Sequence, residues 1–131
     1  MGSYTKLNLK EDVEDQAPRF DMSPDLEFRV ARGPLETENA AISYLRVAPK
    51  FRLPFGHTHN EQEEVYVLVG GSARIKLDDE VLELRPFDAI RIHRDTMRNL
   101  EGGPDGAELI LYGAPNAGPG DVQMSPGWWS D

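Results

Sequence analysis

The feature that most constrains this chain is a rhythm of short apolar runs, cut by Gly, Pro and Asp at intervals of about eight to twelve residues from Leu26 onward. No stretch repeats apolar residues at i, i+3, i+4 and i+7 for long enough to make a major helix. The runs read as strands instead. They are Leu26 to Ala31, Ala41 to Val47, an extended Phe51 to His59 broken by Pro54, and Glu63 to Val69 stopping at Gly70-Gly71. Ala73 to Leu77, Asp78-Asp79-Glu80 and Val81 to Leu84 form the clearest hairpin, with acidic residues suited to a tight, solvated turn. Phe87 to Ile92, Met97 to Leu100 and Glu108 to Tyr112 follow, the last two split by Gly102-Gly103-Pro104-Asp105-Gly106. A series of this kind predicts an all-β sandwich or barrel.

At 131 residues the chain has the length of one domain, enough to bury a core without staples. Residues 1–20 are polar and acidic, with Glu11, Asp12, Glu14 and Asp15, and read as an N-terminal arm. Residues 21–113 carry the strand pattern. Residues 114–131 are rich in Gly and Pro, end in Gly127-Trp128-Trp129, and read as an irregular strap. The two tryptophans are expected to cover apolar barrel surface or a dimer seam.

Charge and composition narrow the partners. Lys plus Arg total 14 against 23 Asp plus Glu, a net charge of -9. Such a chain is repelled by nucleic acid and is not drawn to anionic membranes. Its apolar stretches are too short to span a bilayer. Met1 to Lys10 shows no basic segment followed by an apolar run, so the expected location is cytoplasmic. There is no cysteine. Any metal must be held by imidazole nitrogen and carboxylate oxygen, which suits Zn, Mn, Fe or Ni.

The candidate chemistry begins at Gly56-His57-Thr58-His59. In a strand, side chains at i and i+2 share a face, so His57 and His59 project together. Two adjacent imidazoles need hydrogen-bond partners or a cation. Asn60-Glu61-Gln62 is a natural turn, after which Glu63 or Glu64 can present a carboxylate to the pair. Two imidazoles and one carboxylate form a plausible divalent-metal site with open positions for water or substrate.

This stretch resembles the first motif of the cupin superfamily: Gly, five residues, His-x-His, three or four residues, Glu, six residues, Gly. Here His57, His59, Glu64 and Gly71 fit with the longer spacing, and His57, His59, Glu63 and Gly70 with the shorter. The resemblance favours Glu64, because cupins with two adjacent glutamates here usually ligate through the second. Phe51 stands where the motif begins with glycine. The second motif, Pro-x-Gly followed by a ligand His and an Asn, is matched weakly by Pro86 to Asn99. Counted from Asp88, which matches the aspartate of the usual Gly-Asp turn, Phe87 stands in the glycine position and Arg98 in that of the ligand histidine. His93 lies where cupins commonly carry proline and reads as a rim residue.

The resemblance spans roughly residues 38 to 113 and extends to small actinobacterial-type cupins with a Gly-Trp-Trp tail. It implies a double-stranded β-helix, the cupin jelly-roll barrel, and a homodimer, in keeping with apolar strand faces that one small barrel leaves uncovered. It also implies a small-molecule ligand or substrate, anionic or carbonyl-containing, and, if there is turnover, metal-dependent dioxygenase or isomerase chemistry. Fold alone cannot choose the reaction. A guanidinium has no lone pair for a metal, so the expected metal ligands are His57, His59 and Glu64. Arg98 would orient an anionic group beside them, and Tyr66, of the same parity as Glu64, would line the pocket. The alternative is a metal-free ligand-binding or structural cupin in which Arg98 pairs with Glu64.

Overall fold

The computed structural model describes residues 2–131; about half of them lie in strands and very few in helix. Among the described residues there are eight strands: β1 (Leu26–Val30), β2 (Ala41–Val47), β3 (Phe55–His59), β4 (Glu63–Leu77), β5 (Glu80–Leu84), β6 (Ala89–Ile92), β7 (Arg98–Ala114) and β8 (Val122–Pro126). A single helical turn at Arg32–Leu35 and two 3-10 turns, Ala17–Phe20 and Pro119–Asp121, complete the elements. No helix among the described residues is long and apolar enough to cross a membrane.

All pairings are antiparallel. One path runs β1-β2-β7-β3-β8, while β4 pairs with β5, β6 and β7. Strands β4 and β7 are the spine. Glu63 to Gly71 pairs with Ala107 to Ala114, and Ala73 to Leu77 pairs with Arg98 to Gly102. The same β7 joins β2 through its C-terminal half and β3 through the pair His57 and Arg98. The sheet therefore curls round a common interior. That interior holds Leu45, Val47, Tyr66, Leu68, Ile75, Ile92, Leu100 and Leu109.

The glycine runs behave differently from the sequence expectation. Gly70-Gly71 and Gly102 to Gly106 were expected to end strands, yet β4 and β7 pass through them. The β4 register shifts between Leu68 and Gly70 and again between Gly71 and Ala73, so the glycines mark bulges that bend a continuous strand. At Gly71, φ is +73° and an added Cβ would lie 2.0 Å from the Gly106 carbonyl oxygen. Only glycine permits two bent backbones to approach this closely.

The Asp78-Asp79 turn joins β4 to β5 as expected, with Leu77 opposite Glu80. The Asp78 carboxylate accepts the Met97 N–H at 3.0 Å, tying this hairpin to the start of β7. Phe87 adopts φ +74° at the slot where the resembled motif carries glycine. The backbone demand thus persists without the glycine.

The N-terminal segment is tied down. Val13 and Ala17 are buried, and Arg29 donates to the Val13 carbonyl. Lys10 pairs with Glu108 at 3.0 Å beside Tyr44, whose hydroxyl donates to the same carboxylate. Burial and that carboxylate push the Tyr44 phenol up to about 12. The C-terminal strap, read from sequence as irregular, contains β8. It pairs with β3 from Phe55 opposite Pro126 to His59 opposite Val122. Pairing satisfies the outer edge of β3, which would otherwise present bare backbone groups.

Candidate metal centre

Alternation along β3 and β4 selects the side chains that meet. His57 and His59 lie on one face of β3, their rings 5.1 Å apart and nearly perpendicular. On β4, Glu64, Tyr66 and Leu68 turn into the barrel, with 8%, 2% and 0% of their surfaces exposed. Glu63 has the opposite parity and meets Arg91 at the surface, 3.6 Å away. Of the two glutamates, Glu64 is the one that faces the imidazoles.

Four groups converge on Oε1 of Glu64. Nη1 of Arg98 donates at 2.6 Å and the Tyr66 hydroxyl at 3.2 Å. Nε2 of His59 lies 3.0 Å away and Nε2 of His57 3.7 Å away. Burial alone would push the Glu64 carboxyl up. The His57 and His59 rings and the Arg98 charge outweigh burial and hold it well below the usual carboxylate range. Burial pushes His57 down, so its ring is neutral at pH 7 and its lone pair is available. Burial also pushes the Tyr66 phenol up, with the Glu64 charge adding to the effect, so Tyr66 stays a donor.

Arg98 is fully buried. It occupies the β7 position directly across from His57. Besides Glu64, its guanidinium donates from Nη2 to the carbonyls of His93 and Thr96, and from Nε to Thr96, at 2.8 to 3.1 Å. Most of its five N–H groups are therefore committed within the protein. The His93 side chain is more than half exposed and accepts the Asp95 N–H at Nδ1; its backbone carbonyl, not its ring, touches the site through Arg98.

Asp121, from the 3-10 turn before β8, is a member of this cluster that the strand pattern did not indicate. Its Oδ2 lies 3.0 Å from Nδ1 of His59. It also accepts the backbone N–H groups of Glu61 and Gln62. Burial would raise its carboxyl, but the His59 ring and the two amides prevail and hold it down. The only signal in the sequence was an acidic residue inside a Gly/Pro-rich tail, which by itself indicates a turn.

These residues fit a divalent metal. The ligand atoms of His57, His59 and Glu64 all lie within 4.8 Å of one another. Nε2 of His59 is buried and makes no hydrogen bond, with Oε1 of Glu64 3.0 Å away. A bare imidazole nitrogen beside a buried carboxylate is the arrangement a cation completes. Histidine with a carboxylate behind its second nitrogen is a recurrent metal-site arrangement. A surface groove of about 760 Å³, lined in part by Lys50, Arg74, Glu83 and Glu101, contains none of these residues.

No protein-family model matches the chain, and no curated protein matches it. Solved structures do. A cupin protein from Bacteroides fragilis is 22% identical, with a TM-score of 0.72, over 91% of this chain and 90% of that one. Pac13, described as a nucleoside dehydratase, is 16% identical with a TM-score of 0.70, over 95% of this chain and 92% of that one. Oxalate decarboxylase from Bacillus subtilis is 17% identical with a TM-score of 0.76. The match covers 95% of this chain but 33% of that longer one. The likeness establishes the cupin fold for this chain, the double-stranded β-helix that its two motifs imply.

Proposed function

We propose that this cupin-fold protein binds a divalent metal through His57, His59 and Glu64 and uses the barrel interior to hold a small organic molecule. The observation that carries the proposal is the buried, unpartnered Nε2 of His59, set 3.0 Å from Glu64 and beside His57. A bound divalent ion would supply Lewis acidity toward a carbonyl or carboxylate group. Tyr66 holds its proton toward Glu64, and Arg98 balances the charge of that carboxylate at the floor of the site. A divalent ion added to this pair would make the site net positive, which favours an anionic or carbonyl-containing molecule. Oxalate, named in the activity of one structural neighbour, is of the anionic class, and another neighbour is a nucleoside dehydratase. Dioxygenase or isomerase chemistry is the enzymatic form of the proposal.

The test compares metal binding by the wild type with His57→Ala and His59→Ala. Zinc, manganese, iron(II) and nickel are each titrated into metal-free protein. Wild type should take up one ion, and each variant should lose affinity by roughly 100-fold or more, since even partners behind the ligands carry 10- to 100-fold. Equal binding by wild type and both variants would place any metal elsewhere.

One observation favours a second reading. Arg98 and Glu64 already form a buried pair at 2.6 Å, which neutralises the carboxylate without metal. In that form the barrel is a metal-free ligand-binding or structural cupin. In either form we place the protein in the cytoplasm as a homodimer. The exposed Val69 and Tyr112 on the outer sheet face support the dimer. Light scattering should return twice the 14.7 kDa chain mass, and a monomer would refute the dimer.

A further inference from the structure

We infer that Asp121 is the positioning residue of this site: it holds a proton on Nδ1 of His59 and so turns Nε2 toward Glu64 and the incoming cation. The inference rests on the metal-binding reading above and extends it to the C-terminal strap.

The argument is one of donors and acceptors. Oδ2 of Asp121 lies 3.0 Å from Nδ1 of His59 and 3.1 Å from the Gln62 N–H. Oδ1 accepts the Glu61 N–H at 2.8 Å. Two fixed amide donors mark Asp121 as an acceptor, and an ionised carboxylate can only accept. The ring nitrogen facing it must therefore carry hydrogen. Nε2 is then the nitrogen left to give its lone pair to a metal, and it is the buried atom without a partner. The pairing also fixes the ring, because rotation about the side chain would break the Asp121 contact in a site where only 6% of each residue is exposed.

The strap is built to hold Asp121 there. Asp121 accepts the Asn60 N–H through its own carbonyl at 2.8 Å, and the next residue, Val122, pairs with His59 in β8. At the far end, Trp129 is buried under Arg52, whose guanidinium carbon is 4.1 Å from the ring centroid. Arg52 also donates to the Trp129 carbonyl at 3.0 Å and to Asp131 at 2.7 Å. The tail is thus anchored on both sides of β8, and the carboxylate behind His59 is delivered from 62 residues away in sequence.

Two measurements test this. The first is nitrogen-detected NMR of the histidine rings in metal-free wild type. It should show His59 with hydrogen on Nδ1, protected from solvent exchange. A His59 ring with Nδ1 unprotonated overturns the inference and needs no substitution to be seen. The second is zinc affinity of Asp121→Asn, which keeps the shape but has one acceptor oxygen. Zinc affinity should fall on the order of 10- to 100-fold, with a shifted His59 ring spectrum. Wild-type affinity in a folded Asp121→Asn overturns the inference. If wild type takes up no zinc, the metal-binding reading fails, and the Nδ1 proton still decides the role of Asp121. If Asp121→Asn does not fold, the wild-type ring spectrum decides alone.

Discussion

Arg98→Met should destabilise the protein by about 3–5 kcal/mol, the usual cost of removing one partner from a buried ion pair. The loss has two sources. Glu64 would keep its burial but lose its shortest contact, at 2.6 Å. The carbonyls of His93 and Thr96 would lose their guanidinium donors. Urea unfolding monitored by Trp fluorescence reads the difference. The double variant Glu64→Leu/Arg98→Met should recover most but not all of the loss, because the charge is gone but the two carbonyls remain unpaired. An Arg98→Met protein as stable as wild type would show that the pair does not hold this end of the barrel together.

The pH dependence of that loss has a definite sign. Glu64 is held below its ordinary value of 4.5 in the folded state. A depressed carboxyl contributes stability that is present above the unfolded value and is lost as pH falls through the folded one. Arg98→Met relaxes the depression. The stability gap between wild type and variant should therefore be widest near neutral pH and should narrow as pH drops below about 4.5.

The second large effect should come from Arg98→His, measured as zinc affinity. Position 98 lies directly across from His57 on the neighbouring strand. An imidazole there adds a fourth donor and removes a resident positive charge that competes for Glu64. Affinity should rise on the order of 100-fold, in line with the 10- to 100-fold that partners behind metal ligands command. Unchanged affinity in a folded protein would indicate that the pocket is built around the carboxylate–guanidinium pair rather than around an ion.

Much of the barrel was legible in the sequence because strand parity is a local property. Ala41 to Val47 reads as a strand and is β2. The i and i+2 spacing of His57 and His59 does put both rings on one face. Parity left Glu63 and Glu64 undecided, since Val65, Val67 and Val69 could face a core as readily as Tyr66 and Leu68. The choice is made by the pairing of β4 with β6 and β7, which is not local. The glycine runs misled for a related reason. A glycine that ends a strand and one that bends it look alike until the partner backbone, here Gly106 against Gly71, is known.

The site itself was half legible. The two imidazoles and Glu64 follow one another across a single turn, so spacing brings them together. The position of Arg98 came from a motif, and its engagement with the carbonyls of its own preceding loop had no sequence signature. Asp121 was invisible, because nothing in a Gly/Pro-rich tail says which strand it will join. Binding behind His59 is a consequence of β8 closing over β3.

The most direct test of the central claim is the metal content of wild-type protein purified under native conditions, then titrated with zinc and measured by elemental analysis. The account predicts close to one ion per chain at saturation, lost in His59→Ala. Less than a few tenths of an ion per chain after titration would contradict it and leave the Arg98–Glu64 pair as the reason for the cluster.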